Sequence, residues 1–202
     1  MPNWTTTKIK VRGSVADLAR FVRERIKKEE SSRGEMVDIL DFNEIIPEPA
    51  TPEECPAKYV MRDEAEAKKR CLGWDEKDPR RWFDWYNWHI DNWNTKWGAC
   101  NTQAPSAEEI EKEQLTEIAI WTETAWSPAT PVYRKLQKMY PELGIEVLYG
   151  DEGGFYVGRL QENGTDLQYP ECFDSPEPKE ICDEIGMEYL YMHDDDEEEE
   201  DM

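Results

Sequence analysis

Polar and apolar residues alternate from Thr5 to Arg12, with Ile9 and Val11 on one face, and this predicts a β-strand. Gly13-Ser14 interrupts it, and Ser14 has the chemistry of a helix N-cap. The next stretch carries Val15, Leu18, Phe21, Val22 and Ile26 at three- and four-residue spacing, the apolar stripe of an amphipathic helix. Lys27 and Lys28 fall where its last turn would place them against the negative end of the helix dipole. Met36 to Phe42 reads as a second strand, and Pro47 to Pro56 as a proline-rich connection.

Two further helical stretches follow, about residues 57–72 and 80–93, the second announced by Asp78-Pro79 as cap and first turn. Trp82, Trp85, Tyr86, Trp88, Ile90 and Trp93 leave that helix apolar on most sides, which predicts burial on most sides. Gln114 to Thr124 is the next strand, and Thr130-Pro131 opens a helix to Tyr140 with Val132, Leu136 and Met139 or Tyr140 inward. Ile145 to Tyr149 and Phe155 to Gln161 are strands joined by the turn-rich Gly150-Asp151-Glu152-Gly153-Gly154. Without the 47–112 insert and the last strand, the order is β-α-β-β-α-β, a ferredoxin-like α+β sandwich. The expected organisation is a domain over 1–170 with a Trp-rich helical insertion at 47–112. An acidic C-terminal extension at 171–193 and an unstructured acidic tail at 194–202 follow.

Charge changes the picture most. The 202 residues hold 46 acidic and 24 basic side chains, a formal net charge of −22. The imbalance is concentrated at one end, where residues 171–202 carry fifteen acids and one Lys. Residues 1–33 run the other way, with nine basic side chains against four acids. Such a chain is not built to grip phosphates or an anionic membrane, since both need clustered Lys and Arg. Cys55, Cys71, Cys100, Cys172 and Cys182 are scattered and odd in number, as expected of reduced cytosolic thiols rather than a disulfide framework or metal site. Neither a signal peptide nor a membrane-spanning run is read in the sequence, and the expected location is the cytosol.

Several segments occur in a combination more specific than any one of them. They are Met1-Pro2-Asn3-Trp4, Asp41-Phe42-Asn43-Glu44-Ile45-Ile46-Pro47, Trp85-Tyr86, Asn92-Trp93-Asn94-Thr95-Lys96-Trp97-Gly98-Ala99, and Thr124-Ala125-Trp126-Ser127-Pro128 with Pro131-Val132. Together they resemble the YubB ferredoxin-like family of phages and conjugative plasmids, over about residues 1 to 160. The family carries a Cys or similar small residue and then Asn just after the first Trp, where this chain has Thr5-Thr6-Thr7. The resemblance implies the fold and a mobile-element origin, and transfers no catalytic residue.

The chemistry-bearing motifs are few. Six of nine Trp lie within residues 74–97, where they fit a packed core better than a base-stacking platform, because no cationic groove accompanies them. His89 among those Trp residues reads as structural, with the other His, His193, far away in the tail. Asn92 to Gly98 is expected to be a tight, hydrogen-bonded turn fixing the sheet edge. Gly150–Gly154 lacks the Lys and helix of a phosphate loop. No catalytic residue, cofactor site or metal site is nominated, beyond loose divalent-cation binding by His193 and the tail acids.

The expected function is therefore that of a non-enzymatic interaction protein. Its partner would be a basic host protein, such as a nuclease or defence factor of the restriction or CRISPR type, engaged by charge complementarity or nucleic-acid mimicry. The candidate partner-binding residues are Asp183, Glu184 and Glu188, with the run Asp194, Asp195, Asp196, Glu197, Glu198, Glu199, Glu200 and Asp201. Direct nucleic-acid and membrane contacts are not expected, and the sequence sets no oligomeric state. The alternative is a nucleic-acid-binding module using the sheet face and Lys8, Lys10, Arg12, Arg20, Arg23, Arg25, Lys27 and Lys28.

Overall fold

The computed structural model describes residues 3–30, 34–170 and 175–191. Its backbone is one antiparallel sheet of eight strands in the order β2-β3-β4-β5-β1-β6-β7-β8. The strands are β1 (Trp4–Arg12), β2 (Ile26–Glu30), β3 (Met36–Leu40), β4 (Cys100–Gln103), β5 (Glu117–Ala125), β6 (Gly144–Asp151), β7 (Tyr156–Leu160) and β8 (Asp166–Pro170). The helices are α1 (Val15–Arg25), α2 (Glu64–Lys69), α3 (Trp85–Trp93), α4 (Ala107–Glu113), α5 (Thr130–Met139) and α6 (Pro176–Ile185).

Period-two alternation along β1 decides which layer each residue enters. Ile9 lies opposite Ile120 of β5 and Val147 of β6, and all three join Leu18, Phe21, Tyr133 and Leu136 in the main core. Lys8, one residue earlier, lies opposite Trp121 and Leu148 on the other face. There Leu148 and Val157 pack against Ile181, Cys182 and Ile185 of α6. The sheet thus has a large core on one face and a smaller one, built by α6, on the other. Tyr149 of β6 crosses Gly158 of β7 so closely that a Cβ at that glycine would come within 2.4 Å of the phenol, so only glycine fits.

The predicted β-α-β-β-α-β order describes part of this sheet, because three strands were not anticipated. Ile26–Glu30 leaves the helix: Ile26 adopts extended dihedrals while its N–H still donates to the Val22 carbonyl. Lys27 and Lys28 are therefore strand residues of β2, not the last turn of α1. β4 lies inside the stretch read as a purely helical insertion, and β8 follows the strand that was read as last.

The insert also holds less helix than predicted. Residues 57–72 contain a 3-10 turn (Ala57–Tyr59) and the six-residue α2. The helix expected from Arg80 begins instead at Trp85. Met61 N–H donates to the Trp82 carbonyl at 2.7 Å, Asp84 N–H donates to the Tyr59 carbonyl at 2.8 Å, and Val60 bridges Phe83. These contacts pin residues 82–84 against 59–61 ahead of the helix, and Asp84 then caps α3 by accepting from Asn87 N–H at 3.1 Å. Asp84 is fully buried and also accepts from Arg70 at 2.6 Å, so its charge is paired as burial requires. Strand β5 starts at Glu117, because Gln114 takes a left-handed conformation that closes α4.

Candidate functional site

Three regions carry the residues singled out by the sequence: the basic N-terminal stretch, the acidic C-terminal segment and the Trp-rich insert. In the first, every one of the eight named cations has an acidic partner. Arg12 pairs with Glu117 at 2.9 Å, Arg23 with Glu111 at 2.7 Å and Lys28 with Asp38 at 3.3 Å. Arg20 pairs with Glu142, Lys27 with Glu44, and Arg25 with Glu24 while donating to the Tyr140 hydroxyl. A cleft beside α1 and α4 is lined by Val22, Arg23, Lys28, Asp38, Pro105 and Glu108, and its two cations belong to those pairs.

Lys8 and Lys10 project from β1 toward α6. There both converge on Glu184, Lys10 at 3.0 Å and Lys8 at 3.4 Å, and Lys10 also meets Glu146 at 3.6 Å. Lys8 donates in addition to the Glu184 backbone carbonyl at 3.0 Å. Burial would raise the Glu184 carboxyl, but the Lys10 and Lys8 ammoniums outweigh it and hold the group below the usual carboxylate value. Arg159 of β7 reaches Glu180 on the same helix at 3.2 Å.

The proposed partner-binding acids thus fall into different environments. Glu184, a candidate partner-binding residue, is held between α6 and β1 by Lys8 and Lys10. Asp183 is exposed and accepts from the Tyr191 hydroxyl. Glu188 makes no ion pair among the described residues and is half-buried. Asp194, Asp195, Asp196, Glu197, Glu198, Glu199, Glu200 and Asp201 lie outside the described residues, as do His193 and the cation site suggested there.

In the insert, the expected all-round burial of α3 holds for only some of its residues. Trp88, His89 and Trp93 are buried, whereas Trp85, Tyr86 and Ile90 are each more than a third exposed. His89 is structural, as read: its ring stacks on Trp93 at 4.0 Å, its Nδ1 faces the Lys96 carbonyl at 2.8 Å, and its Nε2 meets Glu48. Glu48 also accepts from Arg80 at 2.6 Å. The His89 hydrogen bond, aided by Arg80, holds the Glu48 carboxyl below the usual value despite its burial. Because Glu48 titrates lower in the folded protein than unfolded, its contribution is complete above about pH 4.5. It is lost as pH falls through the folded-state value. Glu48→Gln is expected to cost about 1 kcal/mol at pH 7 and progressively less as pH falls below about 4.5, measured as urea midpoints at pH 7 and pH 3. An equal loss at both would remove the carboxylate from this role.

The Asn92–Gly98 turn is hydrogen-bonded, but it fastens the end of an interior strand rather than the sheet edge. Asn94 is left-handed at φ +63°, as a helix C-cap Asn tolerates. Its amide donates to the Pro128 carbonyl at 2.9 Å, and Thr95 Oγ1 donates to the Ala125 carbonyl at 2.9 Å. Ser127 Oγ returns a bond to the Asn94 carbonyl.

Sequence reasoning missed what this turn supports, the segment just after β5. Trp126 has φ +73° and is 52% exposed, a rare backbone state for a bulky side chain. Its N–H donates to the Asn3 carbonyl at 2.9 Å and its carbonyl accepts from the Tyr156 hydroxyl at 3.0 Å. Phe155 on the β6–β7 turn and Tyr189 beyond α6 are 56% and 45% exposed. The Tyr189 hydroxyl donates to the Glu152 carbonyl at 3.2 Å. The signal for this aromatic rim was the Ala125-Trp126-Ser127-Pro128 segment, read only as a turn.

Among the described residues, no helix is long and apolar enough to cross a membrane. No curated protein and no solved structure matches the chain. Residues 92–188 match the family described as the ferredoxin-like domain in Api92-like protein, a span that runs from the end of α3 through α6 and identifies this part of the chain as ferredoxin-like.

Proposed function

We propose that this chain is a non-enzymatic, cytosolic interaction protein of phage or plasmid origin that binds a basic, nucleic-acid-handling protein of its host. Its acidic surface would stand in for a phosphate backbone against a restriction- or CRISPR-type partner. The observation that carries this reading is the internal pairing of all eight basic side chains of the N-terminal stretch among the described residues. With those cations committed to Glu and Asp neighbours, the field reaching solvent is that of the surplus carboxylates in a chain of net charge −22. The same pairing weighs against the nucleic-acid-binding alternative, as does α6 lying over part of the sheet face that alternative would use. The YubB resemblance supports the mobile-element origin. The neighbourhood β5-β1-β6, with α1 and α5 on one face, supports reading β1, α1, β3, β5, α5 and β6 as the ferredoxin-like set, elaborated by β2, β4, β7 and β8.

Duplex DNA and RNA are expected to run unshifted with the protein at physiological salt. Immobilised protein should retain basic host proteins at low salt and release them as salt rises. A gel shift at sub-micromolar concentration would overturn the reading in favour of direct nucleic-acid binding.

A further inference from the structure

The rim formed by Trp126, Phe155 and Tyr189 combines three features. The first is strain held in place. The left-handed Trp126 is fixed because the carbonyls of residues 125, 126, 127 and 128 each accept from a side chain elsewhere: Thr95, Tyr156, Thr124 and Asn94. A bulky residue in this region costs about 1–3 kcal/mol, and such outliers concentrate at binding sites. The protein bears that cost while leaving half the indole in water.

The second feature is proximity. Gly153 sits where a Cβ would come within 3.1 Å of the Asn3 side chain and 3.0 Å of the Phe155 ring, and Asn3 is the residue that accepts from Trp126 N–H. Tyr189 reaches the same turn through the Glu152 carbonyl. The Phe155 ring and the Tyr189 hydroxyl therefore border one turn, and the Trp126 backbone is tied to the same turn through Asn3.

The third feature is charge. Glu152 is exposed; one of its carboxylate oxygens accepts from Trp4 N–H at 2.9 Å. Burial raises the Tyr189 hydroxyl, and the nearby Glu152 and Asp151 carboxylates raise it further, which reports a negative local field. Elsewhere the protein places Lys or Arg over its rings, as with Lys96 over Trp97 at 4.8 Å and Arg80 over Phe83 at 4.7 Å. Among the described residues Trp126, Phe155 and Tyr189 have no such partner.

We infer that this rim captures an arginine-bearing segment of a partner protein, its guanidinium stacked on the exposed rings and facing Glu152. The inference rests on the proposed acidic reading and adds to it a defined contact and a preference. A planar guanidinium stacks on aromatic rings and binds carboxylates in a fork, whereas an ammonium is a strongly hydrated point charge.

The test uses fluorescent nona-arginine and nona-lysine peptides of equal charge, titrated by anisotropy against the full chain. The expected result is about tenfold preference for nona-arginine, collapsing toward equal affinity in Trp126→Ala and in Phe155→Ser. Both substitutions leave the net charge unchanged, and circular dichroism melts would confirm folding of each. If both peptides bind but the preference is absent, or survives both substitutions, the rim assignment is overturned while the acidic reading stands. If neither peptide binds at low salt, the acidic reading falls, and the rim assignment with it.

Discussion

Trp93→Ala is expected to lower the unfolding free energy by about 3–5 kcal/mol, the range for removing a large buried aromatic. The ring is 4% exposed and holds three neighbours at once. It stacks on His89, meets Phe42 edge-on at 5.8 Å and meets Trp88 edge-on at 5.4 Å. Its Nε1 donates to the Ile46 carbonyl at 2.9 Å, so truncation also leaves that acceptor without its donor. For a chain of this size, about 2–4 °C of melting temperature accompanies each kcal/mol, so the fall should be roughly 6–20 °C. Trp85→Ala, eight residues earlier on the same helix, is the internal control. That ring is 37% exposed and touches only Tyr86 and His89 among aromatics, so about 1 kcal/mol or less is expected. Two equal melting shifts would mean that the difference in burial between the two rings does not set their contribution to stability.

The contrast between these two Trp residues shows where the sequence was legible and where it was not. Ser14 as the cap of α1, Thr130-Pro131 opening α5, and the alternating Thr5–Arg12 strand are local signals. Local physics decided them, since Ser14 does accept from Asp17 N–H and β1 alternates buried and part-buried residues. Composition alone made α3 look buried all round. The main core takes up Trp88 and Trp93 and leaves Trp85, Tyr86 and Ile90 partly in water.

The unforeseen strands share a different cause. β2 is Ile-Lys-Lys-Glu-Glu and lies at a sheet edge with four of its five residues exposed, so no apolar alternation marks it. β8 is the opposite edge, and β4, Cys-Asn-Thr-Gln, is a short polar strand recruited by its partners. Pairing of this kind is a tertiary decision that β-propensity does not record. The partner-binding acids show the same limit. Charge counts placed Glu184 among surface carboxylates, but only the packing of α6 across β1 brings Lys8 and Lys10 to it.

Removal of Asp194–Met202 is expected to weaken binding to a basic partner by about 30-fold at low salt, with the melting temperature of the chain as the control measurement. The segment carries eight consecutive carboxylates, so the formal charge falls in magnitude from −22 to −14. Exposed charge pairs contribute a few tenths of a kcal/mol each. Eight of them therefore sum to about 2 kcal/mol, or about 30-fold in affinity. The loss should shrink as salt rises, because the screening length contracts from about 10 Å at 0.1 M to about 3 Å at 1 M and removes the contribution from the intact protein too. An extended chain advances about 3.3–3.6 Å per residue, close to the ~3.4 Å charge spacing of a nucleic-acid strand. Recognition of that spacing depends on charge density rather than residue order, so a tail with the same acids scrambled should restore the affinity. If truncation leaves affinity unchanged at every salt concentration, the tail takes no part in recognition. The acidic reading would then rest on the exposed carboxylates of the described residues, such as Asp183 on α6 and Glu152 at the aromatic rim.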